Sequence, residues 1–325
     1  MFVRACKLLI LPAAALAGLV SLPGVEPADP APERRSFDFV QTVEVTPPAG
    51  SEQVRLWIPL PKADDPFQTA QILELASPWP TRISRDAHGN RILHVRADGA
   101  TEPFQVDVRT RVARTRKTAR EDEGSDPADW LGNSALMFVN EEIARRAATA
   151  APKDADDLTA ARGIYRQVLE SMKYLKPAED PGWGQGSVEW ACTRGFGNCT
   201  DYHSLFIAMC RSRGVPARFE IGYPVPLDRE AGDLTGYHCW ATFHASDLGW
   251  VPVDLSEADK HPENAAAFLE VTPPDRVLLS VGRDLDLAPS QTGAPINMFV
   301  YPYLEVDGER ADTALSHRAS FDNAQ

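Results

Sequence analysis

Three residues of this 325-residue chain have the types and the settings for nucleophilic catalysis. Cys199 stands in Gly197-Asn198-Cys199-Thr200-Asp201, followed by a mostly apolar stretch that stops at Gly214 with Pro216 just beyond. That pattern predicts a helix over about 199–213 with the cysteine in its first turn. Unpaired backbone N–H groups and the positive end of the helix dipole lie there, and both favour thiolate over thiol. A nucleophilic cysteine needs a base, and Gly236-Tyr237-His238-Cys239-Trp240 supplies His238 on a predicted strand. The base needs an orienting acceptor, and Trp250-Val251-Pro252-Val253-Asp254 supplies Asp254 on the next strand. Thiol, imidazole and carboxylate in these roles carry out acyl transfer through a covalent intermediate. His203, one turn after Cys199, is the rival base, but His238 has the carboxylate. A zinc reading built on Cys199, His203 and His238 lacks a fourth ligand and leaves Asp254 without a role, so neither metal nor cofactor is expected.

Hairpin arithmetic tests the pairing of His238 with Asp254. A turn centred on Ser246–Asp247 places opposite one another residues whose numbers sum to 492 or 493. His238 then faces residue 254 or 255, with Cβ atoms about 4.5–5.5 Å apart. Strand alternation also sends Cys239 to the face away from His238, so it is not read as a second nucleophile. Cys210 is read as core. Cys192 lies in a loop and has two possible disulfide partners, Cys239 and Cys199 itself.

The elements that must position these groups divide the chain. Phe37, Phe39, Val43 and Val45, then Val54, Leu56 and Ile58, then Phe104, Val106, Val108 and Val112 recur with period two between Pro- and Gly-rich turns. They predict a small antiparallel β-sandwich over residues 36–118. The basic run Arg109, Arg111, Arg114, Arg116, Lys117 and Arg120 is read as a solvated face, offset by Glu121, Asp122 and Glu123. Leu158, Ala161, Tyr165, Val168, Leu169 and Met172 fall at spacings of three and four and predict a helix over about 156–173. A loop rich in Gly and Trp (181–190) precedes the cysteine helix. Strands are expected at 217–223, 237–244, 249–254, 277–281 and 296–306. The fold class is therefore α+β, helices packed on an antiparallel sheet, with a core over 135–290 and a β extension and tail over 291–325.

The N-terminal segment reads as an export signal over residues 1–24. Arg4 and Lys7 precede an apolar run, Leu8–Leu22, that is short of the ~20 residues of a membrane span. Residues 25–35 read as a Pro-rich linker. Loss of the two cations deepens the net charge from −13 to −15. The expected location is periplasmic or secreted, with an uncleaved anchor as the alternative. A strongly acidic chain is unsuited to coating nucleic acid or anionic lipid, so neither nucleic acid nor, after signal removal, a membrane is an expected partner. Five cysteines are too few for a disulfide scaffold.

Gly197-Asn198-Cys199-Thr200-Asp201-Tyr202-His203, then Arg211-Ser212-Arg213-Gly214-Val215-Pro216-Ala217-Arg218 with Gly222-Tyr223, then Tyr237-His238-Cys239-Trp240 and Gly249-Trp250-Val251-Pro252-Val253-Asp254 resemble the transglutaminase-like superfamily over about 135–285. The resemblance implies a papain-like core with Cys199 as nucleophile, His238 as base and acid, and Asp254 as orienting acid. It implies attack on a peptide or carboxamide carbonyl and a thioester that water or an amine resolves. It also implies an oxyanion donor before the helix, for which Trp190 is the candidate, with Trp183 and Gln185 as alternatives. The expected activity is that of a protease or amidase, or else a transglutaminase, acting on a protein or peptide that includes cell-wall peptide among its options. The competing expectation is a non-catalytic cell-envelope binding module that keeps the fold.

Overall fold

The computed structural model describes residues 33–120, 124–177 and 179–324. The expected export signal and most of the expected linker lie outside the described residues. Arg34 and Arg35, assigned to the linker, already belong to the first strand, Arg34–Val45.

Two five-stranded sheets form the sandwich. In one, Arg34–Val45 lies between Phe104–Thr115 and Leu315–Asn323, with Gln68–Ala76 and Ala231–Leu234 at the edges. In the other, Gln53–Leu60 lies between Arg91–Asp98 and Tyr303–Val306, with Thr81–Arg85 and Glu309–Arg310 outside them. The period-two residues Val43, Val45, Val54, Leu56, Ile58, Val106 and Val108 interdigitate between the sheets, as an aligned sandwich requires. The C-terminal segment is not a separate extension. Its strand 315–323 pairs with the first strand from Phe37↔Asn323 to Val45↔Leu315, so the first and last strands of the described residues lie side by side in one sheet. The expected strand 296–306 shrinks to Tyr303–Val306, because Pro295 and Pro302 remove ladder donors.

The core that holds the candidate site is a four-stranded antiparallel sheet in the order 249–253, 238–245, 217–224, 276–281. Helices α1 (Glu141–Ala150), α2 (Asp157–Ser171) and α3 (Val188–Arg194) surround α4 (Cys199–Ser212), which packs on one sheet face. A short α5 (Leu255–Lys260) follows the last strand of the hairpin. Every residue of α4 from Cys199 to Cys210 is buried, which is how an internal helix differs from an amphipathic surface one. Leu205, Phe206 and Met209 of α4 share a core with Phe219, Ile221, Ala241 and Phe243 of the sheet.

The opposite sheet face carries Trp240, Trp250 and Leu278, and here the basic run is only partly solvated. Arg109 and Arg111 pair with Asp38 near the surface. Arg114 and Lys117, by contrast, are fully buried. Lys117 pairs with Glu220 at 2.9 Å, and Arg114 lies 5.6 Å over the Trp240 ring. For Arg114 strand alternation accounts for the difference: it shares the inward face of its strand with Thr110 and Val112, while Arg109 and Arg111 face outward.

Candidate active site

The cysteine helix begins at a built N-terminus. The Asn198 side chain accepts from Thr200 N at 2.9 Å, and the Asp201 carboxylate accepts from Asn198 N at 3.0 Å, closing a reciprocal cap. Asp201 also accepts from Gly184 N (2.9 Å) and Gly186 N (3.0 Å), tying the preceding loop to the first turn. Burial raises the Asp201 carboxyl to about 6, against the lowering effect of these three N–H donors. Gly186 has φ +70°, and a Cβ there would meet Ser204, Arg283 and Thr200 at under 3 Å, so only glycine fits this close approach. Tyr237 Oη joins the same turn, at 3.0 Å from Asn198 Nδ2 and 2.8 Å from Thr200 Oγ1. Cys199, 3% exposed, thus sits in a turn held by these side-chain bonds.

His238 opens the strand 238–245, and its Nε2 lies 2.7 Å from Asp254 Oδ2. Burial by itself would lower the imidazole pKa, but the charge and hydrogen bond of Asp254, with a further hydrogen bond to Cys199, raise it to about 10. With Nε2 committed to Asp254, Nδ1 is the nitrogen left for the thiol. The Cys199 thiol is held well below the ordinary thiol range, first by a hydrogen bond from Cys239 and then by His238, despite its burial. Both shifts favour a thiolate on Cys199 beside an imidazolium at His238.

Asp254 is the N-cap of α5, and both of its oxygens are occupied. Oδ1 accepts from Glu257 N and Ser256 Oγ, each at 3.1 Å. Oδ2 accepts from His238 and from Arg276 Nη1, at 2.8 Å. The hairpin register differs from the arithmetic: facing residues sum to 494, because the connection is a three-residue loop closed by Gly249 at φ +74°. By that register Asp254 would face Trp240. The ladder ends instead at Ala241↔Val253, and the turn into α5 carries the carboxylate back to His238.

His203 is not arranged as a base. Its Nδ1 lies 2.7 Å from Cys199 O, and its Nε2 accepts from Leu255 N at 3.0 Å, which fixes one neutral tautomer. Burial lowers its pKa in keeping with that state. Among the described residues no group of three or more His, Cys, Asp and Glu is placed to hold a metal.

The Trp190 indole, expected as the oxyanion donor, is engaged elsewhere in this structure. Its single indole N–H goes to Asp180 Oδ1 at 3.0 Å, and its ring meets Phe196 edge-on. The Trp183 indole N–H is likewise given to Leu175 O at 2.8 Å. Gln185, exposed between the two glycines that bind Asp201, is the remaining one of the three.

Two residues of the site had no assigned part in the sequence reading. Arg276, 2% exposed, has no local signal, since only the fold brings residue 276 to the Asp254 carboxylate. Cys239 does point away from the His238 side chain, but the face it points to is the one against α4. Its sulfur lies 3.8 Å from Thr200 Oγ1 and 3.7 Å from His203 Nδ1, beside Cys199 and not apart from it. All four described cysteines are unbridged, Cys192 among them.

Comparison with known proteins finds similarities to this architecture. Residues 143–255 match the family model of the transglutaminase-like superfamily. An uncharacterised protein of Haemophilus influenzae is 26% identical to it, across 84% of this chain and 86% of the relative. The crystal structure of a candidate cysteine protease from Cytophaga hutchinsonii shares the fold, with a TM-score of 0.57 at 15% identity over 90% of this chain and 93% of that one. The periplasmic domain of TgpA from Pseudomonas aeruginosa aligns with a TM-score of 0.34 at 15% identity, over 68% of this chain and 95% of that one. No helix among the described residues is long and apolar enough to cross a membrane.

Proposed function

We propose that the protein is an exported cysteine-dependent acyl-transfer enzyme, a protease or amidase or else a transglutaminase, acting on a peptide or carboxamide bond. The observation that carries the reading is the Cys199 thiol at the first turn of α4, held low in pKa and set against a His238 that Asp254 grips at 2.7 Å. In the proposed course, the Cys199 thiolate attacks the substrate carbonyl. The oxyanion forms over the start of α4, where first-turn N–H groups have no carbonyl four residues back. Gln185, exposed on the loop before α4, is the proposed side-chain donor. His238 gives its proton to the departing amine, leaving a thioester on Cys199, and then takes a proton from the water or amine that resolves it. Asp254 keeps Nε2 engaged throughout, so the ring does not turn away from the thiol. The proposed partner is a protein or peptide, cell-wall peptide included, and the proposed location is the periplasm or the exterior, from the N-terminal signal.

The test is capture of the intermediate. An envelope extract incubated with the enzyme should leave an acyl adduct on Cys199 that hydroxylamine releases, and none on a Cys199→Ala variant. A Cys199→Ala variant that fully supports the cellular role would instead favour a non-catalytic envelope-binding module.

A further inference from the structure

The chemistry proposed for Cys199 gives no task to the thiol beside it. Cys239 lies on the sheet face that packs on α4, in one core cluster with Ala241 and Phe243, while Trp240 faces the other way. Its sulfur rests on the two α4 side chains that flank the nucleophile. Thr200 is the next residue in the chain, and the His203 ring bonds the Cys199 carbonyl oxygen. The pKa directions agree with this placement: a hydrogen bond from Cys239 is the first cause that lowers the Cys199 thiol, while burial and the neighbouring Cys199 push the Cys239 thiol up. Cys239 is fully buried, whereas Cys199 keeps 3% exposure. Cys210 is buried further along α4, and Cys192 sits on α3, where Arg146 bonds its carbonyl oxygen, so neither belongs to the pair.

We propose that Cys239 is the resolving thiol of Cys199: when peroxide oxidises the nucleophile, Cys239 captures it as a Cys199–Cys239 disulfide, an inactive form that thiols restore. The inference rests on the reading of Cys199 as the reactive thiol. In the first step the Cys199 thiolate attacks one peroxide oxygen. The O–O bond breaks, and the departing hydroxide leaves as water with the His238 proton, giving a sulfenic acid. In the second, the Cys239 sulfur attacks the Cys199 sulfur as its own proton is lost. The S–S bond forms, the S–O bond breaks, and a second water leaves. The pair is oxidised by two electrons and peroxide is reduced to two waters. A nucleophile with no neighbouring thiol would proceed instead to sulfinic acid, which thiols do not reverse.

The experiment treats the purified full chain with hydrogen peroxide, then with or without dithiothreitol, before alkylation and peptide mass analysis. The proposal predicts a cross-linked peptide pair containing Cys199 and Cys239, lighter by two hydrogens than the reduced pair. It also predicts loss of Cys199 alkylation and its recovery after dithiothreitol. In Cys239→Ala and the closer-fitting Cys239→Ser, the same treatment should drive Cys199 to sulfinic acid with no recovery. Wild-type Cys199 found as sulfinic acid, or joined to Cys192, overturns the proposal, as does equal recovery in the folded variants. Failure of the underlying reading has a separate signature: without any oxidant, Cys199 would alkylate no faster than Cys210.

Discussion

His238 and Arg276 reach the same carboxylate oxygen, Oδ2 of Asp254, at 2.7 and 2.8 Å. The sharing links stability to tuning. Arg276, stacked 5.0 Å over Trp240, anchors the carboxylate from the sheet interior and holds part of its charge. Burial would raise the Asp254 carboxyl, but His238 and Arg276 together hold it well below the usual carboxylate range.

Replacing Arg276 by Gln leaves Asp254 with one cationic partner. Removing one member of a buried pair costs about 3–5 kcal/mol, so the variant should melt measurably lower. The sign of the pH effect follows from the depressed carboxyl. Its contribution to stability is present above the unfolded value of about 3.9 and is lost as pH falls through the folded one. With Arg276 gone the folded value rises, so acid unfolding should begin at higher pH, as should the acid limb of activity. Melting curves between pH 3 and 7 check this, and an unchanged acid limb would contradict it.

Asp254 both orients His238 and caps α5, and two substitutions separate the roles. Asn caps a helix about as well as Asp, whereas Ala costs about 1 kcal/mol at that position. Asp254→Asn and Asp254→Ala should therefore lose activity alike, on the order of 10²- to 10⁴-fold for an unoriented base. Asp254→Ala should also be the less stable by about that 1 kcal/mol. Denaturant midpoints together with turnover rates make the comparison.

The loop before α4 distinguishes the indole donors from the amide. Trp190→Phe removes an N–H already given to Asp180, so it should leave the rate within a few-fold. Gln185→Ala should lower kcat with KM little changed, as expected for a contact made only in the transition state. Gly186→Ala forces a side chain into Ser204, Arg283 and Thr200 at a positive φ, and overpacking of this kind costs about 1–3 kcal/mol. Steady-state kinetics of the three variants order them.

What could be read in the sequence was local. α4 starts at Cys199 and ends at Ser212, one residue short of the expected boundary, because Asn198, Asp201 and Gly214 are chemical punctuation within the helix's own neighbourhood. The His238–Asp254 meeting was legible from a hairpin, although the loop has three residues and the contact is made by a helix cap past the end of the ladder. What could not be read joins residues far apart in the chain. The pairing of Phe37 with Asn323 has no signature in either segment, and neither does the reach of Arg276 to Asp254. For Cys239 the sequence offers strand parity alone. Parity gives the face but not what packs on it, and that is the first turn of α4.

The most direct test of the central claim is the rate of Cys199 alkylation by iodoacetamide as pH is lowered. An ordinary thiol of pKa about 8.5 is under about 1% thiolate at pH 6, and burial pushes the Cys210 thiol further up. Cys199, ionised against His238, should still label at pH 6 at nearly its rate at pH 8, far ahead of Cys210. His238→Ala should return it to the steep pH dependence of a free thiol. Labelling of Cys199 that falls tenfold per pH unit below 8, unchanged by His238→Ala, would contradict the account.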